Sequence, residues 1–344
     1  MQRSLFTETN YEEYKRLERL SALGDTLPRL NQIIDWELFR PTLLQSLRTT
    51  AKSHGGRPPY DAVLMFKILI LQRLYNLSDD QTEYQINDRM SFMRFLGLTL
   101  EDRIPDAKTI WLFRDNLTKA KIIDTLFSLF QERLEQAGLI SRSGSIVDAT
   151  FVEAPRQRNT PEENEQIKAG SIPKEWEKPE NKSKKSQKDT DARWTKKGGV
   201  TFYGYKDHVK IDSDSKLILA YATTSANVHD SQMLAELADE KDKRLYADSA
   251  YAGQNLKEQM PKTLEPKILE RAYRNRPLTE AQKKANKEKS RIRARIEHVF
   301  GQMTVSFRGL TLRCIGIARA KFNIALTNLI YNMCRYECLC RQTA

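Results

Sequence analysis

Three carboxylates are placed to do chemistry together. Asp148 stands inside "SIVDATFVE", whose β-branched and aromatic residues predict a strand. Asp248 ends a later strand-like run, "KRLYADSAYAG", and Glu297 stands among three arginines in "RIRARIEHVF", a helical stretch. Carboxylates converging from separate elements can hold two Mg²⁺ ions about 3.5–4 Å apart, the arrangement used for in-line phosphoryl transfer. Magnesium favours a few carboxylates together with waters and substrate phosphates. The surrounding cations suit the same substrate: Arg291, Arg293 and Arg295, with Lys206, are expected to hold DNA phosphates, while Glu297 holds the metal beside the scissile one. Arg293 lies four residues before Glu297 on the same helix face, so the two can also pair. Each acid alone has an ordinary reading, a strand-end turn former or a solvated helical glutamate; it is their combination in a basic chain that points to catalysis.

Positioning them takes two regions. Residues 1–139 read as helical: apolar spacing in "DAVLMFKILILQRLYNL" predicts one helix, Ser78 and Asp79 begin the next, and Asp106 caps another. Short helices carrying Arg89, Arg94, Lys108 and Arg114 fit a helix-turn-helix DNA reader, and an ordinary bundle equally. Residues 140–344 read as a mixed α/β domain. After the strand around Asp148, the Lys- and Pro-rich stretch at about 155–199 predicts a mobile basic loop. Its Trp176 and Trp194, interleaved with lysines, could stack on frayed bases or simply fold over the domain. A hairpin "VTFYGYKDHVKID"–"KLILAYATTSA" turning at "DSDS" follows, then a helix in "HDSQMLAELADEK", a strand ending at Asp248, a short strand in "PKILE", a basic helix over about 279–303, and a closing helix.

Bulk composition narrows the partners. The chain has 344 residues, 40% of them hydrophobic, a formal charge of +12 and a pI of about 9.4. Ten Lys and Arg against three acids between Arg271 and His298 place about +7 of that charge in one stretch. Such an excess attracts a polyanion, usually nucleic acid. No apolar run reaches the length of a membrane span, and no charged-then-apolar leader is seen, so a cytoplasmic, nucleoid-associated protein is expected. Neither a Walker pattern nor a dinucleotide fingerprint is present, which argues against nucleotide dependence. Cys314, Cys334, Cys338 and Cys340 lack zinc-finger spacing and read as reduced thiols on a packed helix. His208 and His229 are candidate supporting residues, Asp230 a candidate helix cap, and His298 a core histidine.

The blocks "VDATFVEAP", "YGYKDHVKID", "ANVHDSQML", "YADSAYAG" and "RIRARIEHVFGQM", with "DTDARWTKKG" and the helical "PPYDAVLMFKILILQRLYNLSDDQTEYQ", resemble in order those of bacterial insertion-sequence transposases of the DDE type, specifically the insertion-sequence-five group. The resemblance runs from about residue 40 onward. It implies a ribonuclease-H-like catalytic domain behind a helical DNA-binding domain, Mg²⁺ (with Mn²⁺ able to substitute), two ions in the site, and double-stranded DNA partners: terminal inverted repeats and target. A homodimer or larger assembly on DNA is implied as well. Matched residue by residue, Asp148, Asp248 and Glu297 fall on the catalytic acids. Related groups carry a Tyr, Arg, Glu, Lys signature there; Arg293 keeps the Arg, but Ser290 and Thr304 replace the Tyr and the Lys, so that group's phosphate contacts do not carry over. The competing readings are a metal-dependent nuclease that cuts without joining, a DNA-binding protein with a vestigial triad, and a ribonuclease H, which leaves the helical region unexplained.

Overall fold

A computed structural model describes residues 15–50, 58–251, 260–274 and 276–343; the last two letters of the "YADSAYAG" block fall outside them. The chain divides into two compact units, Met1–Leu129 with Met333–Ala344, and Phe130–Asn332.

The first unit is helical, as its 3.6-residue apolar spacing predicts. Its helices include α1 (Leu27–Ile33), α2 (Arg40–Thr50), α3 (Ala62–Leu74), α4 (Asp79–Asp88), α5 (Met90–Leu96) and α6 (Ala107–Ala120), with α7 (Ile123–Gln136) crossing the unit boundary. Asp61, Ser78 and Asp106 accept backbone N–H bonds at three helix starts, satisfying donors that have no intrahelical partner. Phe39, Phe66, Phe92, Phe95, Ile110 and Leu126 form a dry core between these helices. Of the four cations expected there, Arg114 grips both oxygens of Asp79, Arg94 pairs with Asp25 at 2.7 Å, and Arg89 lies over the Tyr75 and Phe92 rings. Lys108 is exposed.

The second unit is built on a sheet. Its strands are β1 (Ser145–Glu153), β2 (Arg193–Lys197), β3 (Val200–Asp212), β4 (Ile218–Ser225), β5 (Arg244–Ala247) and β6 (Glu265–Ile268). The 13-residue β3 serves three partners: residues 200–204 pair with β2, residues 205–211 pair with β4, and residues 204–212 pair with β1, all antiparallel. β1 then pairs parallel with β5, and β5 parallel with β6. Central strands buried on both faces read as continuous apolar runs, which is why "SIV" and "LYA" stand out in the sequence. A buried ion pair, Lys210 Nζ to Asp242 Oδ2 at 2.8 Å, fastens β3 to the turn that enters β5.

Gly204 marks the point where β3 leaves β1 and continues with β2 alone. Its φ is +145°, and a Cβ there would meet the Val152 carbonyl oxygen at 2.3 Å and the Ala154 nitrogen at 2.7 Å. Both neighbours are backbone and cannot move aside. Gly204→Ala is therefore expected to lower stability by about 1–3 kcal/mol, read as a lower denaturation midpoint with faster proteolysis of the β2–β3 arm. An unchanged midpoint would show that the bend does not require glycine.

The segment expected to be a mobile loop is structured instead. It contains helices α8 (Pro161–Lys168) and α9 (Lys182–Ser186) as well as β2. Trp176 is fully buried, its Nε1 donating to Glu163 Oε1 at 2.7 Å, while Lys184 Nζ donates to the same oxygen at 2.6 Å. These bonds hold the Glu163 carboxyl low, to about 2, against the upward push of burial. Asp189 accepts from the Tyr205 hydroxyl and from the backbone of Asp191, Ala192 and Gly316. Asp191 accepts from Ile317 N, the first residue of α12 (Ile317–Thr343), satisfying an otherwise orphaned donor at that helix start. Composition suggested disorder because it cannot register these long-range partners.

Two further expectations shift. The helix expected in "HDSQMLAELADEK" is a 3₁₀ turn, Asp230–Met233, running into a single turn, α10 (Leu234–Leu237). The basic helix, α11 (Glu280–Ser306), runs three residues past its expected end and opens on a Thr279/Gln282 capping box. Ile296, Val299 and Met303 are its buried stripe, leaving the arginine-rich faces free of the core.

Candidate active site

Asp148 sits in the middle of β1, with 16% of its side chain exposed. The parallel register pairs Ser145 with Leu245 and Ile146 with Tyr246. Two residues further along each strand are Asp148 and Asp248, so the topology sets the two aspartates side by side just as β5 ends. Glu297 comes from α11, which packs against both β1 and β5 and leaves this carboxylate 62% exposed.

Arg293 joins two of the three. Its Nη1 donates to Asp148 Oδ2 at 2.6 Å and its Nη2 to Glu297 Oε1 at 3.0 Å. The Glu297 pair is the i,i+4 contact expected from the sequence; the bridge to Asp148, 145 residues away, is not visible there. Burial pushes the Asp148 carboxyl above the usual carboxylate range, and the neighbouring Asp248 pushes it the same way. The Ala149 N–H, Arg293 and Lys197 pull it back down. Tyr251 completes the surroundings. Its hydroxyl is buried without a partner, and burial together with Asp148, Asp230 and Asp248 keeps it firmly protonated.

Among the described residues, no three His, Cys, Asp or Glu side chains are gathered closely enough to hold a metal ion. Two of the acids, Asp148 and Glu297, instead flank a guanidinium, the monovalent cation of Arg293. The donor chemistry suits a hard divalent cation: carboxylate oxygens, with an orphaned hydroxyl nearby.

The remaining expected residues separate from this cluster. Directly opposed residues of an antiparallel pair share a face, and successive residues of one strand do not. Asp148 opposes Val209 whereas His208 opposes Ala149, so His208 and Lys206 project from the opposite side of the sheet. His208 is fully buried, its Nε2 against Thr224 Oγ1 at 2.8 Å, and burial lowers its pKa to about 4, so it is neutral at pH 7. Lys206, expected on a DNA phosphate, is buried with its ammonium donating to the Val228 carbonyl and to Asp230, both at 2.7 Å. It positions Asp230, whose charge reaches Tyr251. His229 is exposed and accepts from Ser231 N as the cap of its short helix. His298 is exposed rather than in the core. Arg291 is exposed, and Arg295 reaches the Ser213 carbonyl and Asp214.

Sequence reasoning missed Lys197 and Tyr251. The "TKKGG" stretch held a usable signal: Gly-Gly between two β-prone runs marks a hairpin tip, here with positive φ at both glycines. That tip carries Lys197.

Buried beside His208, Asp207 is pushed up to about 7 by desolvation, against one hydrogen bond from Asn328 Nδ2. The folded chain thus holds this proton more tightly than the unfolded one, and stability falls as pH rises from about 4 to about 7. His208 does the reverse: the unfolded state takes its proton more readily, so its contribution rises over about pH 4 to 6.5. The two oppose each other in nearly the same window. Asp207→Asn is expected to match the wild type near pH 4 and to exceed it in thermal stability at pH 7. An equal difference at both pH values would remove the buried proton from Asp207.

The family described as "Transposase DDE domain" matches residues 140–333, and a second, "Transposase domain (DUF772)", matches residues 15–116. The chain belongs to the DDE-domain transposase family. A solved structure, the cryo-EM synaptic complex of piggyBac transposase with hairpin DNA, is similar with a TM-score of 0.38 and 13% identity over 91% of this chain and 75% of that one. A likeness that low fixes neither the fold nor the site. Among the described residues, no helix is long and apolar enough to cross a membrane.

Proposed function

We propose that this chain is the DNA transposase of an insertion sequence of the insertion-sequence-five group, and that Asp148, Asp248 and Glu297 form its catalytic centre. The observation that carries this reading is that Arg293 donates to both Asp148 and Glu297, while the parallel register of β1 and β5 brings Asp248 near Asp148. What supports a ribonuclease-H-like domain is the strand order β4–β3–β1–β5–β6, antiparallel on one side of β1 and parallel on the other. The helical region, about residues 1–139, reads the terminal inverted repeats and pairs protomers into a dimer or larger assembly; residues 140–344 cut and join.

The three carboxylates would hold two divalent ions, Mg²⁺ with Mn²⁺ able to substitute, which would supply charge neutralisation at the scissile phosphate and an ionised nucleophile at neutral pH. The residues do the rest. The low-dielectric setting of Asp148 strengthens its attraction to any cation beside it. Arg293, once its carboxylates are otherwise engaged, is a free guanidinium next to the substrate phosphate, and the exposed Arg291 extends the cationic face of α11. Water first displaces the strand at the element's end and releases a 3′-hydroxyl; that hydroxyl then displaces a phosphodiester oxygen of the target. Both are phosphoryl transfers at one centre, with no covalent enzyme intermediate and no nucleotide.

The test is a cleavage and joining assay with Mg²⁺ or Mn²⁺ on DNA carrying the inverted repeats that flank the chain's own gene. Joined strands support the reading. Nicks that never become joined strands overturn it in favour of a nuclease.

A further inference from the structure

The arm formed by β2 and the first residues of β3 has no place in the chemistry above. From Ala192 to Lys206 there is no acidic residue, while Arg193, Lys196, Lys197 and Lys206 are basic. Arg193 is spent on the carbonyls of Thr190, Ala192 and Ile167, and Lys206 is buried, which leaves Lys196 and Lys197 exposed at the tip beside Gly198 and Gly199. Trp194 is 47% exposed on a strand at the sheet's edge, with the Arg156 guanidinium 5.8 Å from its ring centre. Trp176, the other tryptophan of this segment, is fully buried.

The arm lies against β1, the strand that carries Asp148. Beyond the Gly204 bend, Phe202 stacks on Phe151 of β1 at 4.2 Å, Lys197 Nζ lies 5.8 Å from the centre of that same ring, and its charge acts on Asp148. A centre holding Asp148, Asp248 and Glu297 repels a polyanion, so a strand entering it needs cations at its border. Exposed lysines interleaved with an exposed aromatic ring are how proteins hold unpaired strands, with charge on the phosphates and a ring face on a base.

We infer that the β2–β3 arm binds an unpaired DNA strand next to the acidic centre, with Lys196 and Lys197 on its phosphates and Trp194 stacked on one of its bases. This rests on the reading of the chain as a DNA-cutting transposase and adds the state of the DNA it holds there: a separated strand rather than a closed duplex.

The experiment uses the full chain without divalent metal, a short fluorescent oligothymidine strand and a blunt duplex of the same length, with affinity followed by anisotropy across a salt series. Trp194→Ala is expected to weaken strand binding about tenfold and leave duplex binding unchanged, while Trp194→Phe stays within about threefold of the wild type. The Lys196→Gln, Lys197→Gln double variant is expected to reduce the slope of log affinity against log salt by about 1.4 on the strand, two phosphate contacts at about 0.7 each. All these side chains are exposed or half-exposed, and an unchanged circular dichroism spectrum confirms the fold of each variant. Wild-type strand affinity in Trp194→Ala, or an unchanged salt slope in the double variant, overturns the inference. Because no cleavage is read, the two proposals fail separately. A chain that binds the strand through the arm but cuts no DNA sinks only the enzymatic reading, and one that cuts DNA with arm-independent strand binding sinks only this one.

Discussion

Asparagine at position 148 is expected to slow DNA cleavage by about a hundredfold to a thousandfold while DNA binding stays at the wild-type level or tightens slightly. The substitution keeps the shape of the side chain and the oxygen that accepts from Ala149 N–H at 2.8 Å. What it removes is one negative charge in a mostly buried position, where charge interactions are strongest because little water screens them. Losing a negative charge beside a polyanion cannot weaken binding electrostatically, so a fall in rate without a fall in affinity isolates the chemical step. Single-turnover cleavage of end-labelled DNA and anisotropy titration of the same DNA measure the two quantities separately. A variant that keeps more than about a tenth of the rate would place Asp148 outside the reacting centre.

Glutamine at position 293 is expected to bind Mn²⁺ about tenfold more tightly than the wild type in the absence of DNA, and yet to cleave more slowly. The Arg293 guanidinium donates to Asp148 and Glu297 and has to release them when a divalent cation takes both. A unit charge pair at 4 Å is worth about 4 kcal/mol at an effective dielectric of 20, and recovering about a third of that is enough for a tenfold gain in affinity. Cleavage falls because the same guanidinium is the nearest cation for the substrate phosphate once the acids are engaged. Arg293 also holds the Asp148 carboxyl down, so without it protons compete for that oxygen over a higher pH range. Calorimetry at about pH 8, above that competition, reads the metal term alone. Weaker Mn²⁺ binding in the variant would mean that Arg293 scaffolds the carboxylates rather than standing in for a cation.

The elements that carry the three acids were legible in the sequence because each sits in a strong local pattern. Asp148 interrupts a β-branched run, Asp248 closes another, and Glu297 shares a helix face with Arg293. Local periodicity also placed the hairpin turn at "DSDS", where Asp212 accepts from the backbone of Asp214 and Ser215. What was illegible depends on pairing across the chain. The side of the sheet on which His208 and Lys206 project is set by register against β1, and a shift of one residue would reverse it. The ordering of residues 155–199 depends on single buried partners, Glu163 for Trp176 and Asp189 for Tyr205, which a polar, lysine-rich composition conceals. The "HDSQM" stretch is only a short turn, with Asp230 paired to the buried Lys206 rather than capping a helix. Arg293 was read as a phosphate ligand and a partner for Glu297. Its third role, the bridge to Asp148, arises only when α11 is laid across β1.

On the proposed reading Glu297 belongs to a catalytic centre and not merely to the solvated face of α11. The most direct measurement is single-turnover cleavage and joining of terminal-repeat DNA with Mn²⁺ by the wild type and by Glu297→Gln, which keeps the shape and removes the charge. With Glu297 62% exposed, the substitution leaves the fold intact. The expected result is joined product from the wild type and none from the variant, with DNA affinity retained. Equal product from both would make Glu297 a surface charge and place the catalytic centre elsewhere.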